Sequence, residues 1–424
     1  MNQSITAQPG MGTAVQPASY AGRNTEYWRR NLVVCVFGSF TTLVSLTMLL
    51  PFLPVYVGEL GVASQAAIIQ WSAVAFGATF LGTAVASPIW GHVADRVGRK
   101  PMLVRAAIGM AIVMSLIGMA NSASQLVALR LLAGLVGGYF AAATILIGTQ
   151  APAERAGWAL GILSTGALAG NLIGPLVGGF LPSHLGIRGT FFAGGGLIAI
   201  AALLTIVFVK EDFQADKEVR HRASAALQSS APRTNLAIVS ALLVTAMMVL
   251  LANMSIEPII TVFIARLDVD HDHLIRIAGL VMAASALGSL LTSARLGALA
   301  DRVGSWKVII ACLVLTGLVM IPQAFVTHWW QLAVLRLCMG MTLAGLLPAI
   351  TKLARHAVAE HRTGQLLGFL QSAQFAGQVV GPLLGGQVAI HWGLQSVFFM
   401  TALILIASAG LAYWVQRQTD PHHA

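Results

Sequence analysis

GHVADRVGRK, residues 91–100, separates two long apolar runs and packs one acid and three bases into ten residues. A near copy, GALADRVGSWK, occupies residues 297–307. Between and around the two copies the chain is strongly apolar. One type of charged connection placed twice in such a chain predicts a duplicated membrane protein whose loops on one side of the bilayer are specialised.

The composition argues against a water-soluble protein. Of 424 residues, 57% are hydrophobic and 9% are charged, whereas soluble domains carry about 25% charged residues. Runs of about 20 apolar residues span a bilayer as helices, and no run shows the alternation of a barrel strand. We therefore predict an all-α membrane protein with twelve transmembrane helices, at roughly 31–56, 68–90, 101–120, 125–148, 156–181, 189–209, 235–265, 275–296, 307–326, 329–351, 363–388 and 395–416.

These helices divide into two bundles of six, because the longest polar stretch follows the sixth helix. The predicted parts are a disordered cytoplasmic tail (1–24), a first bundle (25–209), a cytoplasmic central loop (210–234), a second bundle (235–416) and a cytoplasmic tail (417–424).

The formal net charge of +10 follows the membrane topology. With the N-terminus inside, 20 of the Lys and Arg residues fall on the cytoplasmic side and 3 outside, as the positive-inside rule requires. The basic charge therefore does not indicate nucleic-acid binding. We expect a multi-pass membrane protein with both termini in the cytoplasm.

No pattern of a cofactor, metal or enzyme site is present. The three cysteines lie in apolar runs, without CxxC or Cys/His spacing, and are typical of packing residues. The chain lacks GxxxxGK[ST], HExxH and GxSxG, which argues against an ATP-driven pump and against the common hydrolases. We predict no catalytic residues, no metal and no cofactor.

The two halves of the sequence repeat each other. Arg130 precedes Arg336 by 206 residues, and Gly174-Pro175 precedes Gly381-Pro382 by 207. The same offsets relate Gly91 to Gly297, Asp95 to Asp301, Gly134 to Gly340, Gly157 to Gly364 and Gly178 to Gly385. A parallel repeat of six helices is the arrangement in which two bundles rock about a central site.

These motifs resemble the major facilitator superfamily over residues 25–416. Residues 91–100 match the signature G-x-x-x-D-R-x-G-R-K, LRLLAGLVGG (129–138) is similar to an arginine-bearing motif of proton-linked members, and GALAGNLIGPLVGG (166–179) is similar to the antiporter motif. WRRNLVV, LPFLPVYV, GWALG and the fifth helix together resemble a multidrug-efflux branch of the drug:proton antiporters. This resemblance and the short loops imply a bacterial inner membrane.

The charged signature predicts a conformational latch. Asp95 and Arg99 are four residues apart, within reach of an ion pair if the turn is helical. The resemblance implies that Asp95 faces the N-terminus of the eleventh helix, near Thr363, when the transporter opens outward. The predicted latch residues are Gly91, Asp95, Arg96, Gly98, Arg99 and Lys100, with Asp301 and Arg302 in the second copy. Arg96 and Lys100 are equally explained by topology, and Ser305 and Trp306 weaken the second copy.

Buried charges predict the proton-coupling site. Glu257 is the only acid between Asn235 and Ile264, and Pro258 follows it. A carboxyl at membrane depth can exchange a proton for a cationic drug. Arg130 and Arg336, inside the fourth and tenth helices, are expected to tune it. An interfacial position for Glu257 and a structural role for each arginine are the alternatives.

The fifth helix predicts a tight, kinked face. The expected antiporter-motif residues are Gly170, Gly174, Pro175, Gly178 and Gly179, whose small side chains allow close backbone approach and could seal one half against the other. Candidate cavity residues are aromatic, Met or amide: Trp71, Tyr139, Phe140, Asn171, Met247, Met248, Asn253, Gln371, Gln374 and Gln378.

Together these features predict a secondary transporter that exports small lipophilic or cationic drug-like compounds in exchange for protons by alternating access. Its expected partners are the drug, protons and the lipid bilayer, and it should work as a monomer. A proton-coupled exporter of a specific metabolite, such as a sugar or organic acid, is the first alternative. A non-transporting receptor or membrane-embedded enzyme is a remote one.

Overall fold

The computed structural model describes residues 27–211, 236–267, 269–358 and 363–419, and they form an all-helical protein. The twelve predicted spans are present, and we number them α1–α12. In the first half they are α1a (Trp28–Thr47) and α1b (Leu53–Glu59), α2 (Gln65–Val97), α3 (Arg99–Gly118), α4a (Ala123–Val136) and α4b (Tyr139–Gln150), α5 (Ala153–Phe180) and α6 (Pro182–Phe208).

The second half repeats this order. Its helices are α7 (Leu236–Ile264), α8 (Leu274–Val303), α9 (Ser305–Gln323), α10a (Trp329–Leu343) and α10b (Leu346–His356), α11 (Thr363–Trp392) and α12 (Leu394–Thr419), with a 3-10 turn at His271–His273 before α8. The last helix continues through residues 417–419, which the sequence assigned to the C-terminal tail. The predicted N-terminal tail, residues 420–424 and most of the central loop lie outside the described residues, so those assignments stay predictions.

Residues 91–100 are helical except for Gly98, and this corrects their assignment as a loop. α2 runs on to Val97, and α3 begins at Arg99. Gly98 alone makes the turn, with a φ of 100° that side chains other than glycine rarely adopt. Gly304 makes the equivalent turn between α8 and α9, with a φ of 102°. The prediction failed because these charges lie on helix ends that extend past the apolar segment.

Three spans are broken, and the sequence explains two of the breaks. α1 unwinds over residues 48–52, where Pro51 cannot donate a backbone hydrogen bond. α4 breaks at Gly137 and Gly138, the latter in the left-handed conformation. α10 breaks at the equivalent place, between Leu343 and Leu346.

Eleven of the twelve helices are long and apolar enough to cross a membrane. The twelfth is α11, which has 30 residues and thus ample length. Five glutamines lower its hydropathy. Such a helix is favourable in a bilayer when its polar face meets protein or an aqueous cavity.

Each half has its own hydrophobic core. One cluster of buried residues draws on positions 28–209, and the other draws on 242–412 together with Ile69. Their internal contacts repeat. The Thr83 hydroxyl donates to the Gly134 carbonyl at 3.4 Å, and the Ser289 hydroxyl, 206 residues later, donates to the Gly340 carbonyl at 2.9 Å. The sequence repeat is therefore also a repeat of side-chain contacts.

Lysine and arginine cluster at one end of the bundle, which we call the basic end. Within the described part of the chain it carries Arg29, Arg30, Arg96, Arg99, Lys100, Arg105, Arg155, Lys210, Arg295, Arg302, Lys307, Lys352, Arg355 and Arg417. The opposite end carries Arg188, Arg266 and Arg276. The excess of Lys and Arg that the sequence predicts for one side of the membrane thus lies at one end of the helix bundle.

Candidate transport pathway

The two halves touch at the opposite end through close helix crossings. A β-carbon added to Gly179 of α5 would lie 3.2 Å from the Gly279 Cα of α8. The equivalent crossing joins α11 and α2, where a β-carbon on Gly386 would lie 2.9 Å from the Ala73 Cβ. Glycine permits such an approach because it has no side chain to separate the backbones. These two crossings close the pathway at the opposite end.

Polar contacts reinforce this closure. The Thr261 hydroxyl of α7 donates to the Pro51 carbonyl at 2.9 Å, so the unwound segment of α1 contacts the other half. Arg266 donates to the side-chain oxygen of Gln65 at 3.3 Å. Arg276 lies over the Phe180 ring, with 5.4 Å between the guanidinium carbon and the ring centroid.

The basic end is open by the same measure. In the described residues, a β-carbon added to any of several glycines near this end would meet no heavy atom within 4 Å, and these glycines are Gly91, Gly157, Gly161, Gly297, Gly364 and Gly368. They include the basic-end halves of α5 and α11, the helices that make the crossings at the other end. By this measure the two halves approach closely at the opposite end, and the described glycines near the basic end make no such approach.

Glu257 and Arg336 form a buried acid–base pair within the second half. A Glu257 carboxylate oxygen lies 3.9 Å from Arg336 Nη1, and the side chains are 13% and 1% exposed. Each lies seven residues from its helix end, about 10 Å deep at 1.5 Å per residue. The distance is too long for a direct hydrogen bond. The carboxylate is therefore attracted by the guanidinium without being locked to it.

This pair keeps unused bonding capacity. Among the described residues, the second carboxylate oxygen of Glu257 has no hydrogen-bond partner, and neither do Nε and Nη2 of Arg336. Asn253 lies one helical turn from Glu257 on the same face of α7 and is partly buried. Unsatisfied buried groups are unfavourable in a finished core, but suit a site that exchanges ligands.

Arg130 lies in different surroundings. It is 2% exposed, and its Nε donates to the Ala75 carbonyl of α2 at 3.4 Å. Its guanidinium carbon is 6.0 Å from the centre of the Phe76 ring. Sequence reasoning linked Glu257 to both Arg130 and Arg336, and in the structure Glu257 lies beside Arg336.

The latch residues sit around the Gly98 turn. Asp95 forms an ion pair of 2.6 Å with Arg99, as the four-residue spacing predicted. The second copy differs: Asp301 pairs with Lys352 of α10b, and both side chains are largely exposed. Arg96, Lys100 and Arg302 lie at the same helix ends, with Arg96 and Arg302 exposed and Lys100 partly buried.

Sequence reasoning missed Glu211, which stabilises this turn. Its carboxylate accepts hydrogen bonds from the backbone N–H of Arg99 at 2.7 Å and of Lys100 at 2.6 Å. A carboxylate at a helix N-terminus is favourable because those N–H groups lack partners within the helix. The only available signal was an acid directly after the sixth span.

A second missed cluster joins α1a, α4b and the end of α6. The Asn31 amide donates to the Gln150 side chain at 2.7 Å and to the Lys210 carbonyl at 2.6 Å. Lys210 N–H donates back to Asn31 at 3.1 Å. Two amides 119 residues apart gave no pattern that a reading along the chain could detect.

The glycine stripe of α5 has a different neighbour from the one expected. Gly166, Gly170, Gly174 and Gly178 face α1 in the same half, and a β-carbon on Gly170 would lie 2.8 Å from the Phe40 carbonyl. Gly179 and the Pro175 carbonyl, by contrast, contact α8 in the other half. The expectation that the whole stripe seals one half against the other is therefore wrong, because its four-residue period follows the crossing with α1.

The ten cavity candidates separate into three groups. Tyr139 is a core residue, not a cavity residue: it is 1% exposed, and its hydroxyl bonds the Thr205 hydroxyl at 2.8 Å. Trp71 and Phe140 pack against the first core. The other seven keep some accessible surface, Asn171 and Gln371 being exposed and Met247, Met248, Asn253, Gln374 and Gln378 partly buried.

The glutamines of α11 share one face. Gln371, Gln374 and Gln378 follow helical spacing. Val379, next to Gln378 in sequence, has its carbonyl 3.2 Å from where a β-carbon on Gly77 of α2 would be. The helix that carries these amides therefore contacts the other half near Gln378.

The comparisons with known proteins agree with this architecture. A family model described as Major Facilitator Superfamily matches residues 35–277 and 242–424. The chain is 40% identical to the Multidrug resistance protein MdtG of Escherichia fergusonii, over 89% of this chain and 92% of that protein. It is 41% identical to the MdtG of Salmonella typhimurium, over 90% of this chain and 94% of that one.

Solved structures show the same fold at low sequence identity. A bacterial homolog of the human lysosomal transporter Spinster, described as inward-facing and occupied, superposes with a TM-score of 0.73 at 15% identity, covering 92% of this chain and 97% of that one. The nucleoside transporter NupG superposes with a TM-score of 0.72 at 14% identity, covering 92% and 99%. With its repeated bundles, its paired charged turns and these matches, the chain belongs to the Major Facilitator Superfamily.

Proposed function

We propose that this protein exports small lipophilic or cationic drug-like compounds in exchange for protons, by alternating access between its two bundles. The observation that carries the proposal is the buried Glu257–Arg336 pair. Within the described helices, Glu257 is the one acid far from a helix end. The multidrug resistance proteins at about 40% identity support the substrate class.

The coupling follows from competition for one carboxylate. When Glu257 is ionised, its charge is balanced by Arg336 or by a cationic substrate that approaches from the open basic end. When a proton neutralises Glu257, the attraction for the cation is lost and the substrate is released. Because proton and cation neutralise the same group, each binding disfavours the other, which is the requirement for exchange.

The latch acts in the other state of the transport cycle, in which the opposite end is open. Rocking the bundles to open the opposite end brings the basic ends of α2 and α11 together, since these helices already cross at Ala73 and Gly386. Asp95 then meets the N-terminus of α11, where free N–H groups favour a carboxylate. Arg99 holds Asp95 in place before that contact forms.

The membrane setting is part of the proposal. The basic end faces the cytoplasm of a bacterium, because cytoplasmic loops carry the excess of Lys and Arg, and the inner membrane is the bilayer. Both termini then lie inside. One chain supplies both bundles and the acid–arginine pair, so a monomer suffices.

The test is drug-driven proton release from inverted vesicles with an acidified lumen and a pH-sensitive dye. Addition of a cationic drug should discharge the gradient in vesicles with the native protein. Glu257→Gln should reduce the response to the leak of empty vesicles. The matched control is Glu59→Gln, which removes an exposed acid at the end of α1b and should respond normally. Full proton release by Glu257→Gln would disprove the carboxylate assignment.

A specific metabolite is the second candidate substrate. The observation that favours it is the row of glutamines on α11, because amides suit hydroxyl-rich or acidic compounds better than lipophilic cations. The same vesicles decide between the two: a response to sugars or organic acids but to no drug would select the metabolite. Substitution of Gln374 by Leu should then abolish that response.

A further inference from the structure

All the residues that line a groove at the basic end belong to the first half. The groove lies between the start of α1a and the start of α5 and has a volume of about 520 Å³. Its walls are Trp28, Arg29, Leu32, Val33, Arg155 and Trp158. The alternating-access mechanism uses none of these residues.

Charge is graded along the groove. Arg29 and Arg155 lie within the first three residues of their helices and are exposed. Val33 and Trp158, 68% and 60% exposed, lie about one turn deeper. The groove thus has a cationic rim above an apolar floor, the order in which a phospholipid presents its phosphate and its acyl chains at a bilayer surface.

The aromatic residues fix this level of the protein at the membrane interface. Trp28 and Trp158 meet edge to face, with 6.4 Å between ring centroids. Arg29 lies over the Trp28 ring at 5.6 Å. Tryptophan is enriched where headgroups begin, because its ring is apolar and its N–H is polar.

The two guanidinium groups have no counter-ion among the described residues. In the part of the chain that the structure describes, no carboxylate lies within 4.0 Å of Arg29 or Arg155. Of the chain's first 26 residues only Glu26 is acidic, so that segment brings little negative charge. Planar guanidinium groups suit the oxygens of a phosphate, which they can bind with two parallel hydrogen bonds.

We propose that this groove is a binding site for an anionic phospholipid of the leaflet that meets the basic end. The phosphate binds between Arg29 and Arg155, and the upper acyl chain packs against Val33 and Trp158. The lipid then bridges α1a and α5. Because α5 also carries the Gly179 crossing to α8, a bound lipid stiffens the helix on which one inter-bundle contact depends.

The experiment compares lipid retention by native mass spectrometry of the full-length protein. Phosphatidylglycerol and phosphatidylcholine with identical acyl chains are supplied in equal amounts. The native protein should retain phosphatidylglycerol preferentially. The double variant R29Q/R155Q should lose roughly tenfold or more of that affinity, since each Arg near an anionic headgroup contributes about a factor of five. Trp158→Ala should weaken retention of both lipids.

The matched control removes the same charge from the same end. R30Q/R417Q takes away two exposed arginines that stack on Tyr27 and Tyr413 and do not line the groove, and it should retain lipid within about twofold of the native protein. An equal loss in R30Q/R417Q would mean a general surface attraction and overturn the proposal. Displacement of the lipid by millimolar glycerol phosphate would overturn it too, because the site would then bind a free anion.

Discussion

The two halves hold equivalent arginines in unequal surroundings. Arg130 and Arg336 are 206 residues apart and both nearly fully buried. Gly178 packs on Met48 and Gly385 packs on Ser255, an offset of 207 that aligns Glu257 with Leu50 and Pro258 with Pro51. One half therefore has a carboxylate where the other has a leucine. Both halves bury an arginine, but only Arg336 has a carboxylate beside it, that of Glu257.

The largest difference between the halves should appear in stability. Arg336→Leu leaves Glu257 buried without its partner and should cost about 3–5 kcal/mol of unfolding free energy. Arg130→Leu, which removes a donor to a carbonyl, should cost about 1–3 kcal/mol. Chemical unfolding in mixed micelles measures both values.

A double variant shows whether the pair causes that difference. Glu257→Leu combined with Arg336→Leu should recover much of the loss, because no buried charge remains uncompensated. Equal losses of unfolding free energy in Arg336→Leu and Arg130→Leu would show that the pair with Glu257 does not distinguish the two halves.

An effect of intermediate size should distinguish the crossing of α5 with α8 from the crossing of α2 with α11. Gly279→Ala drives a methyl group into the backbone of α5, next to the Pro175 carbonyl and 2.8 Å from the Gly179 Cα. Gly386→Ala meets the Ala73 Cβ at 2.9 Å and little else nearby. Overpacking of this kind costs about 1–3 kcal/mol. Both changes should disfavour closure at the opposite end, the first more strongly.

Accessibility of a buried position reports that shift. Ile69 is 3% exposed in the closed conformer, so labelling of Ile69→Cys by an impermeant thiol reagent should be faster in the Gly279→Ala background than in Gly386→Ala. Ile69→Cys in the otherwise native background, where Cys35 and Cys312 are buried and Cys338 is partly exposed, gives the reference rate. Identical rates in all three backgrounds would show that the crossings do not control closure.

The smallest effect concerns the two charged turns. Asp95→Asn removes the carboxylate proposed to meet α11 and should slow transport about twofold to fivefold, the range of a helix-terminus interaction of about 0.3–1 kcal/mol. Asp301→Asn breaks a pair whose side chains are 42% and 67% exposed, and such pairs contribute little. Initial rates of drug-driven proton release compare the variants at equal expression. A larger loss of transport rate in Asp301→Asn than in Asp95→Asn would mean that the second charged turn, not the first, is the stronger latch.

Sequence alone predicted the features that repeat or that stand out chemically. Hydropathy located the twelve spans, the 206-residue offset revealed the duplicated bundles, and a solitary acid at membrane depth marked Glu257. Their signals are strong because charge is costly in a bilayer. The ion pair between Asp95 and Arg99 also followed from spacing alone, even across the Gly98 turn.

Sequence was less informative about which face of a helix meets which neighbour. In a membrane helix nearly all faces are apolar, so hydrophobic periodicity does not identify the buried one. Tyr139 therefore looked like a cavity residue although it bonds Thr205 in the core, and the glycine stripe of α5 was assigned to the wrong neighbour. The partner of Arg336 required the fold, because 79 residues separate it from Glu257.

The contact between Thr261 and Pro51 bears on the speed of the cycle. A neutral hydrogen bond contributes only about 0.5–1.5 kcal/mol, and it is one of few polar contacts recorded between the halves in the described residues. A closure held by so little specific bonding lies close in free energy to the alternative state, so small energies from substrate or proton can shift the population. A tighter closure would trap the protein in one conformation, and turnover would fall although every residue that binds the drug remained in place.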